Sequence, residues 1–334
     1  MDAAPPTSAD HYRSVFRPGL FAGQQVWVTG GGSGIGRCVA HELAALGARV
    51  LISGRSEEKL QRVAAEIAED GGQCAWRAFD IRDEDAVKAN VAAVLAEHGP
   101  VHGLVNNAGG QFPAPLMAIS KRGFEAVVAN NLTGGFLMMR ELFVQCLQNQ
   151  GGAIVNMTAD FRNGMPGMGH SGAARSGMSN LTMSAAVEWA HAGVRVNAVA
   201  PGWIASSGMD TYGGAMRSLI PKLKNHVPLR RMGLEAEVSG AIVFLLSPAA
   251  AFITGITVQI DGAASLNTPM FPQLDATHGA PFDGFHRAVT PQVLQDSAQD
   301  SAPANTPANT PANTPANTPT HTPPSAQTIP PGTR

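Results

Sequence analysis

A glycine-rich turn stands between the first strand-like run and the first helical pattern of the chain. The segment reads Thr29-Gly30-Gly31-Gly32-Ser33-Gly34-Ile35-Gly36. Glycines let a backbone turn tightly and approach a pyrophosphate, whose charge is met by free amide groups at the start of the following helix. The segment predicts a dinucleotide site, with a flexible strand-to-helix connection as the alternative.

The end of the second predicted strand bears on which dinucleotide binds. NAD enzymes with this kind of turn present a carboxylate here to the ribose diol, whereas this chain has Ser53-Gly54-Arg55, followed by Lys59. Arg55 offers a bidentate donor fork that suits the 2′-phosphate of NADP. We therefore expect NADP(H), with a solvated surface arginine as the alternative.

Proton donors of the usual kind are scarce. The chain has two tyrosines, Tyr12 and Tyr212, and no lysine between residues 121 and 222. A phenol, with a pKa of about 10, is a far better general acid than an aliphatic hydroxyl. A mechanism built on a tyrosine and a lysine in the middle of the chain is therefore excluded.

Strand-like and helical patterns alternate along most of the chain, which is typical of βαβ units and a parallel sheet. We predict an α/β fold: a single Rossmann-type domain with a doubly wound parallel sheet. Seven strands are expected, at residues 26–29, 50–52, 74–79, 103–106, 154–157, 194–199 and 256–260. The region from Trp203 to Gly233 is rich in Gly and Pro and predicts a mobile loop or lid over the site.

Composition divides the chain into four parts. We expect an N-terminal arm at 1–18, the dinucleotide-binding domain at 19–263, a C-terminal extension at 264–295 and a disordered tail at 296–334. The tail repeats Pro-Ala-Asn-Thr four times from Pro303 to Thr318. Such a repeat cannot bury enough apolar surface to offset its ordering entropy.

Several classes of function are disfavoured by charge and composition. The net charge is −2 and the chain has no basic block, so neither nucleic acid nor a membrane surface is an expected partner. The three cysteines are scattered, no export signal is visible, and the most apolar stretch, 241–258, is interrupted by Ser, Pro, Thr and Gly. These features predict a cytoplasmic protein.

Five motifs in order resemble the short-chain dehydrogenase/reductase superfamily. They are the glycine turn, Asn106-Asn107-Ala108-Gly109, Asn131-Leu132-Thr133-Gly134, Pro201-Gly202, and the closing Thr254-Gly255 with Asp261-Gly262. The resemblance covers residues 20–263 and implies cofactor roles for residues outside the turn: Asp80, Ile81, Asn107, Ala108, Gly109, Pro201, Gly202 and Ile204. Asp80 alternatively caps the helix that begins near Asp83.

The superfamily's Tyr and Lys are replaced. By the family spacing of about 22 residues before Asn197, Ser171 stands at the Tyr position and Arg175 at the Lys position. Arg175 is expected to hold the nicotinamide ribose. Ser171 cannot replace the phenol as a general acid, a loss of roughly 3–5 kcal/mol for ordinary ketone reduction.

Further segments resemble the peroxisomal trans-2-enoyl-CoA reductase and 2,4-dienoyl-CoA reductase branch. They are 106–112, 170–175, 188–190 and 244–250. The enoyl reductase carries Tyr and Lys where this chain has Ser179 and Met183, whereas the dienoyl reductases also lack the usual Tyr. Hydride addition to an enoyl thioester makes an enolate rather than a strongly basic alkoxide, so this reaction tolerates loss of the phenol better.

Position suggests the catalytic candidates Asn131, Thr158, Asp160, Ser171 and Arg175. Asn131 matches the family residue that organises a proton-relay water, with a helix-kink hydrogen bond as the alternative. Thr158 is either a substrate-polarising hydroxyl or one that satisfies backbone groups at a strand end. Asp160 is either an acid with a pKa raised by burial or a capping group. His170 is more simply a structural hydrogen-bonding residue, and Tyr212 a lid residue that packs on the ligand.

We predict an NADPH-dependent reductase of the C=C bond of 2-enoyl or 2,4-dienoyl thioesters, with acyl-CoA as the small-molecule substrate. The alternatives are a carbonyl reductase or alcohol dehydrogenase of the same superfamily, and a catalytically silent NADP-binding protein. The resemblance also implies a homo-oligomer, a dimer or tetramer, formed through the long helices that begin near Ser120 and His170.

Overall fold

A parallel sheet of seven strands forms the centre of the molecule. The computed structural model describes residues 11–268, 270–276 and 278–300. The strands are β1 Gln25–Thr29, β2 Arg49–Gly54, β3 Gln73–Ala78, β4 Gly103–Asn106, β5 Gly152–Met157, β6 Val194–Pro201 and β9 Thr257–Ile260. Their order in the sheet is β3-β2-β1-β4-β5-β6-β9, with the switch point between β1 and β4. This confirms the predicted fold class and strand count.

The sheet is covered on both faces. The ten α-helices of the described residues are α1 Gly34–Ala45, α2 Glu57–Glu69, α3 Glu84–His98, α4 Lys121–Val128, α5 Gly134–Leu142, α6 Gln148–Gln150, α7 Gly169–Glu188, α8 Gly214–Leu219, α9 Glu235–Leu246 and α10 Gln292–Asp300. One core lies beneath α1, α2 and α9, and the other beneath α3, α5 and α7. Strands buried on both faces read as nearly continuous apolar runs, as in Val26-Trp27-Val28.

The helix between β4 and β5 contains two π-helical turns, at Ala129–Thr133 and Phe143–Leu147. A π-turn widens the helix by one residue and frequently marks a functional site. The first of them places Asn131 in the interior, 2% exposed. The position of this side chain therefore depends on the irregular turn.

The region predicted as a mobile loop or lid contains regular structure. Ile204–Ala205 (β7) and Gly233–Leu234 (β8) pair as a two-stranded sheet, and α8 and two 3-10 helices lie between them. Met209, Ile220 and Met232 are buried there together with Val293 of α10. The prediction of a loop was therefore wrong in form, because the segment gains regular structure by packing its apolar residues against Val293 of α10.

The C-terminal extension folds back across the domain. Asp210 in the lid accepts hydrogen bonds from the backbone of Gln292 and Val293, at 3.1 and 3.0 Å, at the start of α10. The expected tail boundary at 296 falls inside this helix, and residues 301–334 lie outside the described residues. Among the described residues, no helix is both long and apolar enough to span a bilayer.

Candidate active site

The glycine turn is tied to the end of β4 through Thr29. Its hydroxyl donates to the Val105 carbonyl at 3.3 Å and accepts from the backbone N–H groups of Asn107 and Ala108, each at 3.0 Å. The Asn107 amide donates back to the carbonyls of Thr29 and Gly30, at 3.0 and 3.3 Å. These bonds fix two of the predicted motifs against each other at the carboxyl edge of the sheet.

Glycine is required at two points of the turn. Gly30 and Gly34 have φ values of 67° and 56°, a left-handed conformation that costs other residues free energy. A Cβ on Gly30 would lie 2.9 Å from Ala108 Cα, whereas one on Gly34 would have no neighbour nearer than 3.9 Å. The backbone is thus packed on one side and open on the other, as a dinucleotide needs.

The first helix begins without a side-chain cap. Ser33 stands at its N-cap, yet among the described residues its hydroxyl accepts no bond from the first turn. The amide groups of that turn remain available to an anion, and the helix dipole favours negative charge there. Ile35 is the second residue of the helix, directly behind this anion-binding end.

The cationic end of β2 is exposed. Arg55 and Lys59 are both exposed, and Arg55 is close enough to Asp80 to contribute to the lowered pKa of that carboxyl. The main cause of the lowered pKa is the hydrogen bond from the Arg82 side chain to Asp80. The cap of α3 is Asp83, which accepts from Ala86 N at 3.0 Å, so Asp80 is not the capping residue.

Asn131 holds the loop that follows β4. Its amide group donates to the Gly110 carbonyl at 2.8 Å and accepts from the Gly110 N–H at 2.9 Å. A Cβ on Gly109 would lie 2.6 Å from Asn131 Oδ1 and 2.7 Å from Arg175 Nη2, so only glycine fits between them. Both polar atoms of the Asn131 side chain are therefore bonded to backbone groups, and each keeps capacity for one further hydrogen bond.

Arg175 is a buried cation. Its Nη1 donates to the Met157 carbonyl at the end of β5 over 2.6 Å, and its Nε has no hydrogen-bond partner among the described residues. Burial lowers its pKa to about 10, so the guanidinium still carries its charge at neutral pH. A buried charge with no anionic partner among the described residues is costly, and ribose hydroxyls would satisfy the unpartnered Nε.

Ser171 lies one helical turn before Arg175 and is fully buried. Its hydroxyl donates to Gln111 Oε1 at 3.4 Å, and Gln111 Nε2 donates to the hydroxyl of Tyr212 at 3.2 Å. Gln111 thus joins the serine on α7 to the tyrosine in the lid. No sequence motif assigns a role to Gln111, although its place just after β4 puts it at the sheet edge where ligands bind.

The remaining catalytic candidates differ in whether their polar side-chain atoms already have hydrogen-bond partners. The Thr158 hydroxyl donates to the Val199 carbonyl at 2.8 Å, which is the backbone-satisfying alternative. Asp160 has a buried Oδ1 without a hydrogen-bond partner among the described residues, and burial raises its pKa. His170 Nδ1 accepts from Ser171 N at 3.0 Å and its ring packs edge-on against Phe112, which is a structural role.

The other predicted cofactor residues surround the same edge. Gly202 donates its N–H to the Ile260 carbonyl at 3.0 Å, next to Pro201 at the end of β6, and Ile204 begins β7. Ile81 is buried beneath Gly134, where a Cβ would approach its side chain to 2.7 Å. The two tyrosines have different partners. Tyr12 donates to Glu42 on α1 at 3.0 Å, whereas Tyr212 accepts from Gln111.

Comparison with known proteins agrees with these features. The family described as Enoyl-(Acyl carrier protein) reductase matches residues 30–264. The peroxisomal 2,4-dienoyl-CoA reductase of Pongo abelii is 34% identical over 261 residues, which cover 77% of this chain and 89% of that protein. A glucose 1-dehydrogenase of Gluconobacter oxydans is 37% identical over 254 residues, covering 74% and 93%.

A solved structure is more similar in sequence. The citronellol catabolism dehydrogenase (AtuB) of Pseudomonas aeruginosa PAO1 is 63% identical, with a TM-score of 0.69, and the match covers 76% of this chain and all of that one. These matches, the seven-stranded sheet and the glycine turn agree. The chain belongs to the short-chain dehydrogenase/reductase superfamily, a family of oxidoreductases that use nicotinamide dinucleotides.

Proposed function

We propose that this protein uses NADPH to reduce the C=C bond of 2-enoyl or 2,4-dienoyl thioesters, with coenzyme A as the carrier. The observation that carries the proposal is the pair on α7: Ser171, and not a phenol, lies one turn before the buried Arg175. The reaction takes a hydride from NADPH and a proton from solvent, and it yields NADP⁺ and a thioester with one C=C bond fewer.

The residues that would hold the dinucleotide fit it. The uncapped start of α1 would accept the pyrophosphate, and Arg55, followed by Lys59, would hold the 2′-phosphate. The unpartnered Nε of Arg175 would donate to the nicotinamide ribose. When bound, the dinucleotide supplies the hydride.

The chain's own part of the chemistry is to stabilise the oxyanion and provide a proton. Hydride addition to the conjugated bond places negative charge on the thioester oxygen, and donors aimed at that oxygen lower the barrier. The hydroxyl of Ser171 donates to Gln111 and that of Tyr212 accepts from it, and a bound thioester oxygen would take the proton of either hydroxyl in a hydrogen bond. Asp160, with its raised pKa, can pass a proton from solvent to the α-carbon through water.

The relatives support the substrate class. Besides the Pongo abelii protein, a probable 2,4-dienoyl-CoA reductase of Bacillus subtilis is 35% identical over 245 residues. A thioester enolate is a weaker base than the alkoxide formed from a ketone. A site with a serine in place of the phenol therefore loses less when it reduces an alkene.

The test is the loss of NADPH absorbance with purified protein and trans-2-enoyl-CoA or 2,4-dienoyl-CoA of several chain lengths. We expect turnover with at least one of them, and a fall of roughly 10-fold or more in kcat for Ser171→Ala. Binding of NADPH without turnover of any thioester, alcohol or aldehyde would instead indicate a silent dinucleotide-binding protein.

A second candidate function is the oxidation of a methyl-branched terpenoid alcohol, or reduction of its aldehyde. It is favoured by Tyr212, a phenol hydrogen-bonded into the site through Gln111, and by the 63% identity with the citronellol catabolism dehydrogenase. Citronellol with NADP⁺, and citronellal with NADPH, test it directly. Turnover of these two compounds and none of the thioesters would replace the first proposal.

A further inference from the structure

A cluster of metal-binding side chains lies away from the dinucleotide site. His41 on α1, Asp70 just after α2 and His286 in the C-terminal extension each turn one ligand atom inward, and these atoms all lie within 4.8 Å of one another. His41 Nδ1 and His286 Nε2 are each 3.0 Å from Asp70 Oδ2. Two histidines and one carboxylate are a common ligand set for Zn²⁺.

The distances suit a small tetrahedral ion. Zn²⁺ binds nitrogen and oxygen at about 2.0–2.2 Å, which places neighbouring ligand atoms roughly 3.4 Å apart. The two observed separations of 3.0 Å therefore need to open by only a few tenths of an ångström. The third separation, between the two histidine nitrogens, is within 4.8 Å.

His286 provides a second, independent observation. Its side chain is 8% exposed, yet neither ring nitrogen makes a hydrogen bond among the described residues. The Nε2 atom is near Asp70 Oδ2, but the direction is not that of a hydrogen bond. A buried polar group without a partner costs free energy, and a metal ion at the cluster would give the imidazole one.

Two of the three proposed ligands, His41 and Asp70, contact further charged side chains. The other ring nitrogen of His41 lies 3.3 Å from Glu66 Oε2. Asp70 accepts from Arg287 through both oxygens: Oδ1 from Nη2 at 2.7 Å, and the ligand atom Oδ2 from Nε at 3.2 Å. Carboxylate–histidine pairs of this kind orient ligands and raise their basicity. Arg37 also contacts Glu66, at 2.7 Å, so the charge of that carboxylate is partly balanced.

Space is present beside the cluster. A cavity of about 170 Å³ is lined by His41 and Asp70 and also by His11 and Tyr12. It is large enough for a water molecule as the fourth ligand and for entry of an ion.

We infer that His41, Asp70 and His286 bind one Zn²⁺ ion, which fastens the C-terminal extension to α1 and α2. The extension continues into α10, whose start is capped by Asp210 of the lid. The ion is structural, because it lies apart from the dinucleotide site. The inference is independent of the proposed activity.

The experiment uses the full chain, purified with a tag that contains no histidine and treated with a chelator. Zn²⁺ is titrated in, and bound metal is measured after dialysis. We expect about one Zn²⁺ per chain and a rise in melting temperature on binding. His286→Gln should weaken binding by at least ~10-fold, whereas His278→Gln, an exposed histidine of the same extension, should bind like wild type.

Because His286→Gln can also loosen the extension, a second variant separates ligation from folding. His286→Cys replaces one zinc ligand by another, so it should retain binding, and with Co²⁺ it should add a thiolate-to-cobalt charge-transfer band. Binding of less than one Zn²⁺ by wild type, equal binding by His286→Gln, or a His286→Cys protein without that band would overturn the inference. In those cases the cluster is a network of ion pairs without a metal.

Discussion

The side-chain amide of Gln111 donates a hydrogen bond of 3.2 Å to the hydroxyl of Tyr212. The same glutamine accepts from Ser171 at 3.4 Å, so a phenol from the lid is coupled to the position where the superfamily usually has its own tyrosine. A phenol of the lid is therefore linked through Gln111 to the position where Ser171 stands. Its contribution depends on which bond is reduced.

Tyr212→Phe should separate the two candidate functions. In alkene reduction the hydroxyl is one donor among several, worth about 1 kcal/mol, so kcat should fall by no more than ~10-fold. In alcohol or aldehyde turnover it would be the general acid or base, and the loss should reach 10²–10⁴-fold, as typical for such groups. Steady-state rates on both substrate classes measure the difference.

Tyr12→Phe is the matched control for this variant. Tyr12 donates to Glu42 in the buried cluster beneath α1. Its loss should lower the melting temperature and leave kcat unchanged. An equal fall of kcat in both variants would mean that Tyr212 acts through stability alone.

Arg175→Met should separate cofactor affinity from stability. A charged hydrogen bond is worth about 1.5–3 kcal/mol, so NADPH should bind roughly 10–150-fold more weakly. Stability should change little or rise, because a buried cation without an ion-pair partner among the described residues is replaced by an apolar chain. Fluorescence titration and thermal melts measure the two quantities.

Arg122→Met removes an exposed arginine and serves as its control. It should leave both NADPH affinity and melting temperature unchanged. A strongly destabilised Arg175→Met protein that still binds NADPH would contradict the role given to Arg175.

The fold was predictable because its signals are local. The seven strands are short apolar runs, and Gly103–Asn106 has the bounds that the sequence predicts. The regular structure of the lid was harder to predict, because its buried cluster includes Val293 of the extension together with Met209 and Ile220. The residues of this contact lie about eighty positions apart in the chain, so no local sequence pattern indicates it.

The parts of the candidate site that are formed by sequence motifs could be predicted. Contacts between individual side chains of different elements could not. The glycine turn and Asn107 lie at one edge, as expected of parallel strands. The bridge from Ser171 through Gln111 to Tyr212 depends on three separate elements, and no spacing in the sequence relates them. Likewise, only the folded chain brings His286 to His41.

Arg55→Gln should change the choice of dinucleotide. The exposed guanidinium at the end of β2 is a bidentate partner for a 2′-phosphate, so its loss should raise the KM for NADPH by roughly 10-fold or more. The KM for NADH, which lacks that phosphate, should hardly change. Arg62→Gln, an exposed arginine on α2, is the control and should leave both constants as they are. Equal effects on both dinucleotides would contradict the assignment.

Val187→Glu should weaken self-association. Val187 is 80% exposed on α7, and Met183, one turn earlier, is 50% exposed, so this face of the helix carries an apolar strip. A charge in the centre of an interface between copies of the chain is strongly unfavourable, and the apparent mass in size-exclusion chromatography should fall. Val289→Glu, at a residue 70% exposed in the extension, should elute like wild type. A wild-type monomer would remove the basis of this expectation.

Glu235→Gln should alter how stability depends on pH. Burial at the start of α9 raises the pKa of Glu235 from 4.5 to about 7. Between these values the folded chain holds a proton that the unfolded chain has lost, so the free energy of unfolding of wild type falls as pH rises. Glutamine does not titrate, and the variant should gain on the order of 2–3 kcal/mol over wild type between about pH 4.5 and about pH 8. Urea unfolding across this range measures the gain, and Glu58→Gln, an exposed residue of α2, should show none. A constant difference between Glu235→Gln and wild type at every pH would mean that Glu235 is ionised throughout.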